Sequence, residues 1–323
     1  MKPIVTSKIN FWSNKTVAIS GAKGFLGRHL VKKLKDHNEN INIIEITKKK
    51  FDLRYEKNIK KFFKNYSPDY IFHLAANVGG IGANMKNPAT FFYDNSIMGI
   101  NFLHYAYLNN VSKFLSTATV CAYPEKTKVP FKEDDLWKGY PEPTNAPYGI
   151  AKKILTIQSQ AYRDQYNYNS IVLYPVNLYG PGDNFNPDSS HVIPALIRKI
   201  YDAKMNKKKS IEVWGSGIAK REFLFVEDLA DALILAMEKY NYSNPVNIGT
   251  GNTISIKSLV KKIAQIMNYK GEIIWNSKKP DGQLKRQLDT TKAKKFFNFE
   301  AKTLLDVGLK RTIDWYIKTE ITS

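Results

Sequence analysis

Short apolar runs alternate with longer amphipathic stretches along most of the chain. KTVAIS (15–20) has the length and composition of a buried strand, and Leu26, Leu30, Val31 and Leu34 then recur at helical spacing. INIIEI (41–46) predicts a second strand, 55–65 a helix and DYIFHLAA (69–76) a third strand. A long helix follows at about 89–109, a fourth strand at KFLSTAT (113–119), a helix reaching about 168 and a fifth strand at NSIVLY (169–174). Strands separated by helices imply a parallel sheet covered on both faces. Beyond 178 the pattern changes. A turn-rich segment, 177–199, enters a helix, PVNIGTG returns to the sheet, and the last seventy or so residues predict two helices around the strand GEIIW (271–275). Leu305, Leu309, Ile313 and Tyr316 mark the buried face of the final helix.

Between the first strand and the first helix lies GAKGFLG. Gly21 permits a tight turn, Gly24 lets backbone approach a pyrophosphate, and Gly27 allows close packing of helix on strand. The helix start offers free N–H groups to phosphate. The expected fold is α/β: a Rossmann-type doubly wound parallel sheet with a smaller α/β C-terminal substrate domain. Residues 1–178 with 222–250 form the cofactor domain in this reading, and 179–221 with 251–323 the substrate domain. Small Ala75 and Ala76 at the end of the third strand leave room for the cofactor. Glu45, near the end of the second strand, is placed to hold a ribose hydroxyl as in NAD enzymes. Lys23 and Lys48 would instead meet a 2′-phosphate, and they favour NADP(H).

Tyr148 and Lys152 are four apart, so on a helix both face the same way. A phenol beside an ammonium group should ionise nearer neutrality, which suits a proton donor in carbonyl reduction.

Composition limits the alternatives. Hydrophobic residues are 43% and aromatics 13% of the 323 residues, which marks a globular chain. No apolar run can span a bilayer and MKPIVTSKINFW has no signal-peptide core, so a cytoplasmic protein without a membrane partner is expected. One cysteine excludes an internal disulfide, and five scattered histidines suggest no metal site. The net charge of +20 comes from lysines spread over nearly every segment. With no aromatic-interleaved basic stripe, nucleic acid is not the expected partner, whereas a polyanionic small ligand is.

The strand, glycine turn and later Y-x-x-x-K resemble the extended short-chain dehydrogenase/reductase family. HLAANVGG, CAYP, EPTNAPYGIAK, NLYGPGDNF, SHVIPALIRK, VWGSGIAKREFL, NIGTG and KKPDG narrow this: in order and spacing they resemble the GDP-L-fucose synthase family over nearly the whole chain. That family takes GDP-4-keto-6-deoxymannose, epimerises C3 and C5 and reduces C4 with NADPH. The resemblance implies that Thr119 completes a catalytic trio with Tyr148 and Lys152, and that Cys121 and His191 are the acid–base pair. Cys121 lies two residues after Thr119, which in an extended segment points both side chains the same way. The resemblance further implies that Phe25, Asp52 and Pro175 touch the cofactor. It places Asn177 and Val192 at the sugar, Lys199 and Arg221 at the diphosphate, Trp214 near the nucleotide and Lys279 as a further cation. Related reductases pair the two long helices as a homodimer. Phe91, Phe92, Phe102, Tyr105, Ile154 and Ile157 are the expected surface.

Departures matter as well. Thr119 replaces the family's serine, Lys199 an arginine, and Asn77 a usual lysine at the mouth between cofactor and sugar. A GDP-4-keto-heptose from a polysaccharide pathway, reduced without epimerisation, is the alternative substrate. Val120 and Cys121 stand where 4,6-dehydratases carry Asp and Glu, which argues against elimination of water. A non-catalytic NADP-binding protein would be expected to show a broken Y-x-x-x-K, and this chain keeps it.

Overall fold

The computed structural model describes residues 11–37, 40–279 and 281–322. Residues 1–10, which carry most of the leader-peptide expectation, and Pro280 of KKPDG lie outside the described residues.

The chain runs β1 (Thr16–Ser20), α1 (Phe25–His37), β2 (Asn42–Ile46), α2 (Glu56–Asn65), β3 (Tyr70–His73), α3 (Ile81–Lys86), α4 (Pro88–Leu108), β4 (Lys113–Thr117), α5 (Ala146–Tyr166) and β5 (Ser170–Pro175). It continues with β6 (Asn177–Tyr179), α6 (Val192–Met205), β7 (Ser210–Trp214), β8 (Lys220–Arg221), β9 (Phe223–Phe225) and α7 (Val226–Lys239). Then come β10 (Val246–Ile248), β11 (Ile254–Ser255), α8 (Ile256–Ile266), β12 (Glu272–Asn276), α9 (Thr291–Phe297) and α10 (Leu305–Thr322).

Among the described residues six strands form one sheet in the order β10-β5-β4-β3-β1-β2, with every neighbouring pair parallel. The strand order reverses beside β1, and a sheet of this kind receives ligand at the carboxyl ends of its strands there. Each face is covered as the apolar spacing requires. Leu30 and Leu34 of α1 pack with Leu229, Leu233 and Met237 of α7 on one side. Ile59 and Phe62 of α2 pack with Phe102 and Leu103 of α4 on the other. A further core joins α6, β7, β9, α8 and α10 through Ile197, Val213, Phe225, Leu259, Leu309 and Ile313. Parallel β7 and β12 complete that smaller α/β unit.

Several elements differ from the sequence pattern. The third strand stops at His73 because the Ala75 N–H turns to Ser20 Oγ at 3.1 Å. The fourth stops at Thr117, and Val120–Ala122 closes a 3-10 turn. Helix α9 was absent from the expected elements. Its Ala293 and Phe297 pack with Leu288 and Phe299 in the sheet-side core, so residues 288–299, expected with the smaller unit, lie against α7 and β10. Phe91 and Phe102, expected on the surface of the long helices, are interior: Phe102 meets Phe62, Phe63 and Phe114, and Phe91 lies beside Tyr148. Phe92 and Ile157 do stay exposed. Among the described residues no helix is long and apolar enough to cross a membrane.

Candidate active site

A cavity of about 1570 Å³ runs from the glycine turn after β1, past the ends of β3, β4 and β5, to β7 and β8. Gly21, Gly24, Phe25, Gly27, Lys48, Asp52, Ala75, Ala76 and Pro175 line its first arm. Gly27 is obligatory, since a Cβ there would lie 2.2 Å from the Gly21 carbonyl oxygen. The first turn of α1 carries no acidic residue, and its N-terminus meets the cavity beside these glycines. The glycine backbone and helix N–H groups on this wall would suit the phosphates of a dinucleotide, and Lys48 adds a cation to it. Beneath it, Ser20 Oγ accepts the N–H groups of Leu74 and Ala75 at 3.1 Å each and lies 2.8 Å from His73 Nδ1. Burial, helped by the Lys152 charge, pushes His73 down to about 3, so this imidazole is neutral.

Lys23 is exposed and does not line the cavity, because the turn directs it to solvent. Glu45 is also absent from the wall. Ile44 and Ile46 face the α2 and α4 side, and strand alternation sends Glu45 to the opposite face. Sequence reading missed Arg54. Its guanidinium lies 2.6 Å from Asp52 and 3.4 Å from Asp94, and the Arg54 bond holds the Asp52 carboxyl below its usual range. Asp94 also accepts from Asn77 Nδ2 at 3.1 Å. Asp52 is a neighbour in the same loop, but Asp94 comes from α4, so spacing gave no signal for that contact.

Thr119, Cys121, Tyr148, Lys152 and His191 all reach the middle of the cavity. Thr119 and Cys121 do so by a different geometry from the expected extended segment. Thr119 caps the 3-10 turn, with Oγ1 accepting the Cys121 N–H at 3.2 Å. Helix α5 presses on this turn at Gly149, where a Cβ would lie 2.5 Å from the Cys121 carbonyl oxygen. Tyr148, the preceding residue, is thereby delivered to the turn. Burial, and then the neighbouring Cys121, push the Tyr148 phenol above its ordinary value rather than toward neutrality. The Lys152 ammonium does not reverse this, because burial acts on it too and pushes it down to about 8. His191 stands just before the first residue of α6 with no cap bond from its side chain, and it opens onto the cavity, yet protein surrounds it enough to push its imidazole down.

Asn177, Val192, Lys199, Trp214 and Arg221 line the far arm. Lys279 does not, but its Nζ lies 5.1 Å from the Trp214 ring centre. Lys199 Nζ donates to the Glu212 carbonyl at 2.8 Å. Burial, and next the charge of Arg286, push Arg221 down to about 10. Its Nη2 donates to the Asp281 carbonyl at 3.0 Å. Asp281, Arg286 and Glu142 also line the cavity and were not singled out from sequence. For the first two the signal was KKPDG and the cations that follow it. Among the described residues no three His, Cys, Asp or Glu side chains group as metal ligands.

Residues 17–249 match the NAD dependent epimerase/dehydratase family. The chain belongs to that family, within its GDP-L-fucose synthase group. GDP-L-fucose synthase 1 of Arabidopsis thaliana is 36% identical over 320 residues, 98% of each chain. A solved GDP-6-OMe-4-keto-L-xylo-heptose reductase from C. jejuni superposes with a TM-score of 0.89 at 31% identity, covering 95% of this chain and 98% of that one. A GDP-mannoheptose C4 reductase from Campylobacter jejuni with NADP bound gives 0.85 at 32%, covering 94% and 98%. In this member of the epimerase/dehydratase family the buried Lys152 has a measurable cost. It releases its proton at about 8 when folded, against about 10.4 unfolded. Between those values the unfolded chain binds more protons, so this group's contribution to stability rises with pH across that window. Below about 8 the folded state carries the buried charge in full. Lys152→Met should be more stable than the parent at pH 7 by about 1–3 kcal/mol, with the advantage shrinking toward pH 10. Urea denaturation of the cofactor-free protein at both pH values checks this, and a parent at least as stable as the variant at pH 7 contradicts it.

Proposed function

We propose that this NADP-dependent oxidoreductase reduces the 4-keto group of a GDP-linked sugar. The observation that carries the reading is one continuous cavity, with a glycine-lined wall at one end, Lys199 and Arg221 at the other and buried Tyr148 and Lys152 between them. The likeness to GDP-L-fucose synthases and to NADP-bound GDP-heptose reductases supports it. When bound against the glycine-lined wall, NADPH would supply the hydride for the carbonyl carbon. Tyr148 holds a proton for the carbonyl oxygen, and burial keeps that proton in place until negative charge develops there. Lys152, charged below about pH 8, steadies the phenolate left behind. Thr119 offers its hydroxyl to the same oxygen. Arg221 can grip a diphosphate in a fork, while Lys199 acts as a point charge and the exposed Trp214 offers a ring face to the nucleotide.

Epimerisation at C3 and C5 is the finer part of the proposal. A 4-ketone acidifies both neighbouring carbons through a shared enolate, and Cys121 and His191 are the acid–base side chains that reach the same cavity. The Campylobacter neighbours favour a second reading in which the chain only reduces a GDP-4-keto-heptose. Asn77 is the residue through which the pocket would differ. In either reading two copies pair α4 and α5 across a two-fold axis, where Phe92, Tyr93 and Ile157 are exposed.

Tyr148→Phe should bind NADPH as the parent does, by fluorescence titration, yet lose reduction. Turnover within tenfold of the parent, a loss under about 1.4 kcal/mol in the barrier, rejects Tyr148 as donor. In D2O with a GDP-4-keto sugar, the parent should place deuterium at C3 and C5. Cys121→Ser should suppress that exchange while still reducing an already epimerised ketone. A parent that reduces the ketone with no solvent deuterium at either carbon leaves a 4-reductase alone.

A further inference from the structure

Arg286 lies against the sulfur of Cys121, with its Nη1 donating toward Sγ at 3.7 Å. The segment that bears it is laced to the strand bearing Arg221. Lys220 N donates to the Leu284 carbonyl at 2.8 Å, and Arg286 N to the Lys220 carbonyl at 3.1 Å. Leu288 N donates to Glu222 Oε2 at 2.7 Å. The other Glu222 oxygen accepts Thr250 N at 2.6 Å and Gly251 N at 2.7 Å. Glu222 is only 1% exposed, and these backbone donors hold its carboxylate in place. The Arg286 side chain is braced in turn. Its Nε donates to Gln283 Oε1 at 2.8 Å, and Gln283 Nε2 donates to the Glu125 carbonyl at 2.6 Å.

The other charges around Cys121 do not cancel this cation. Arg221 reaches the same space from β8, and Lys152 and Tyr148 from α5, while His191 opens on it from the start of α6. Two carboxylates face this part of the wall, Glu142, which feels the Arg286 charge and accepts from Thr144 Oγ1 and Asn145 Nδ2 at 2.6 and 2.7 Å, and Asp281, which accepts from Ser216 Oγ at 2.7 Å; the cations Arg286, Arg221 and Lys152 outnumber them. A thiol with a guanidinium in hydrogen-bond reach favours its thiolate.

Resting on the epimerase reading of Cys121, we propose that Arg286 is a positioning residue that keeps Cys121 available as the anionic member of the acid–base pair. When the thiolate takes a proton from carbon beside the ketone, an S–H bond forms, the C–H bond breaks and its electron pair moves to the enolate oxygen. His191 then gives a proton to the opposite face of the enolate, which inverts that carbon, the thiol proton passes to solvent to restore the thiolate, and Arg286 stays charged throughout.

Cys121 is the only cysteine in the chain and is partly accessible, so iodoacetamide reads it directly. The NADP-loaded protein is alkylated across a pH series and the rates are followed by mass spectrometry. Arg286→Gln, which keeps a donor without the charge, should raise the alkylation midpoint by about one pH unit or more. Arg286→Lys should restore most of that difference. A Gln variant whose midpoint equals the parent's overturns the proposal, as does a Lys variant no closer to the parent than the Gln one. No sugar enters this measurement, so its failure removes the role of Arg286 alone. Absence of deuterium exchange in the parent removes the epimerase reading alone.

Discussion

Lys152 is 2% exposed and Tyr148 9%, so an ammonium and a phenol are held out of water on one face of α5. The fold accepts a cost of about 3 kcal/mol for the lysine charge at neutral pH, judged from its displacement to about 8. Much of the architecture serves to place that pair. Gly149 lets α5 press on the turn that carries Cys121, and Thr119 caps the same turn. The neutral His73 and Ser20 fix the exits of β1 and β3 beneath the space the cofactor would fill. Burial also decides the protonation states: it keeps the phenol protonated and leaves the lysine close to the pH at which it would release its charge.

The far arm depends on a different device. Glu222 ties together the turn after β10, the chain after KKPDG and the strand that bears Arg221. A buried carboxylate satisfied by backbone N–H groups is a rigid anchor, and it keeps two arginines on one laced unit. Arg221 in the far arm and the cation beside the sulfur of Cys121 are therefore positioned by the same hydrogen bonds.

Much of this was legible in the sequence, for physical reasons that also explain what was not. Apolar periodicity gave the parallel sheet and its helices, and the glycine turn and Y-x-x-x-K gave the cavity's two nearer parts, because such signals are local. Long-range contacts were not legible. Arg54 with Asp94, Arg286 with Cys121 and Glu222 with Leu288 join residues from separate elements. Burial was misjudged where apolar residues surround a helix: Phe91 and Phe102 lie inside, while Phe92 lies outside. The phenol was expected to ionise more easily beside Lys152, and desolvation outweighed the charge. Lys23 and Glu45 failed as wall residues because side-chain direction, rather than position in a motif, decides what faces a ligand.

The central claim is hydride delivery to a sugar carbonyl in the cavity between the glycine turn and Arg221. It is tested most directly with NADPH deuterated at the transferable position and a GDP-4-keto sugar, with the product examined by NMR. The account predicts that cofactor oxidation and product formation match one for one, with the deuterium at C4 of the sugar. Product without deuterium at C4, or no oxidation of the cofactor with any GDP-4-keto hexose or heptose, would contradict it.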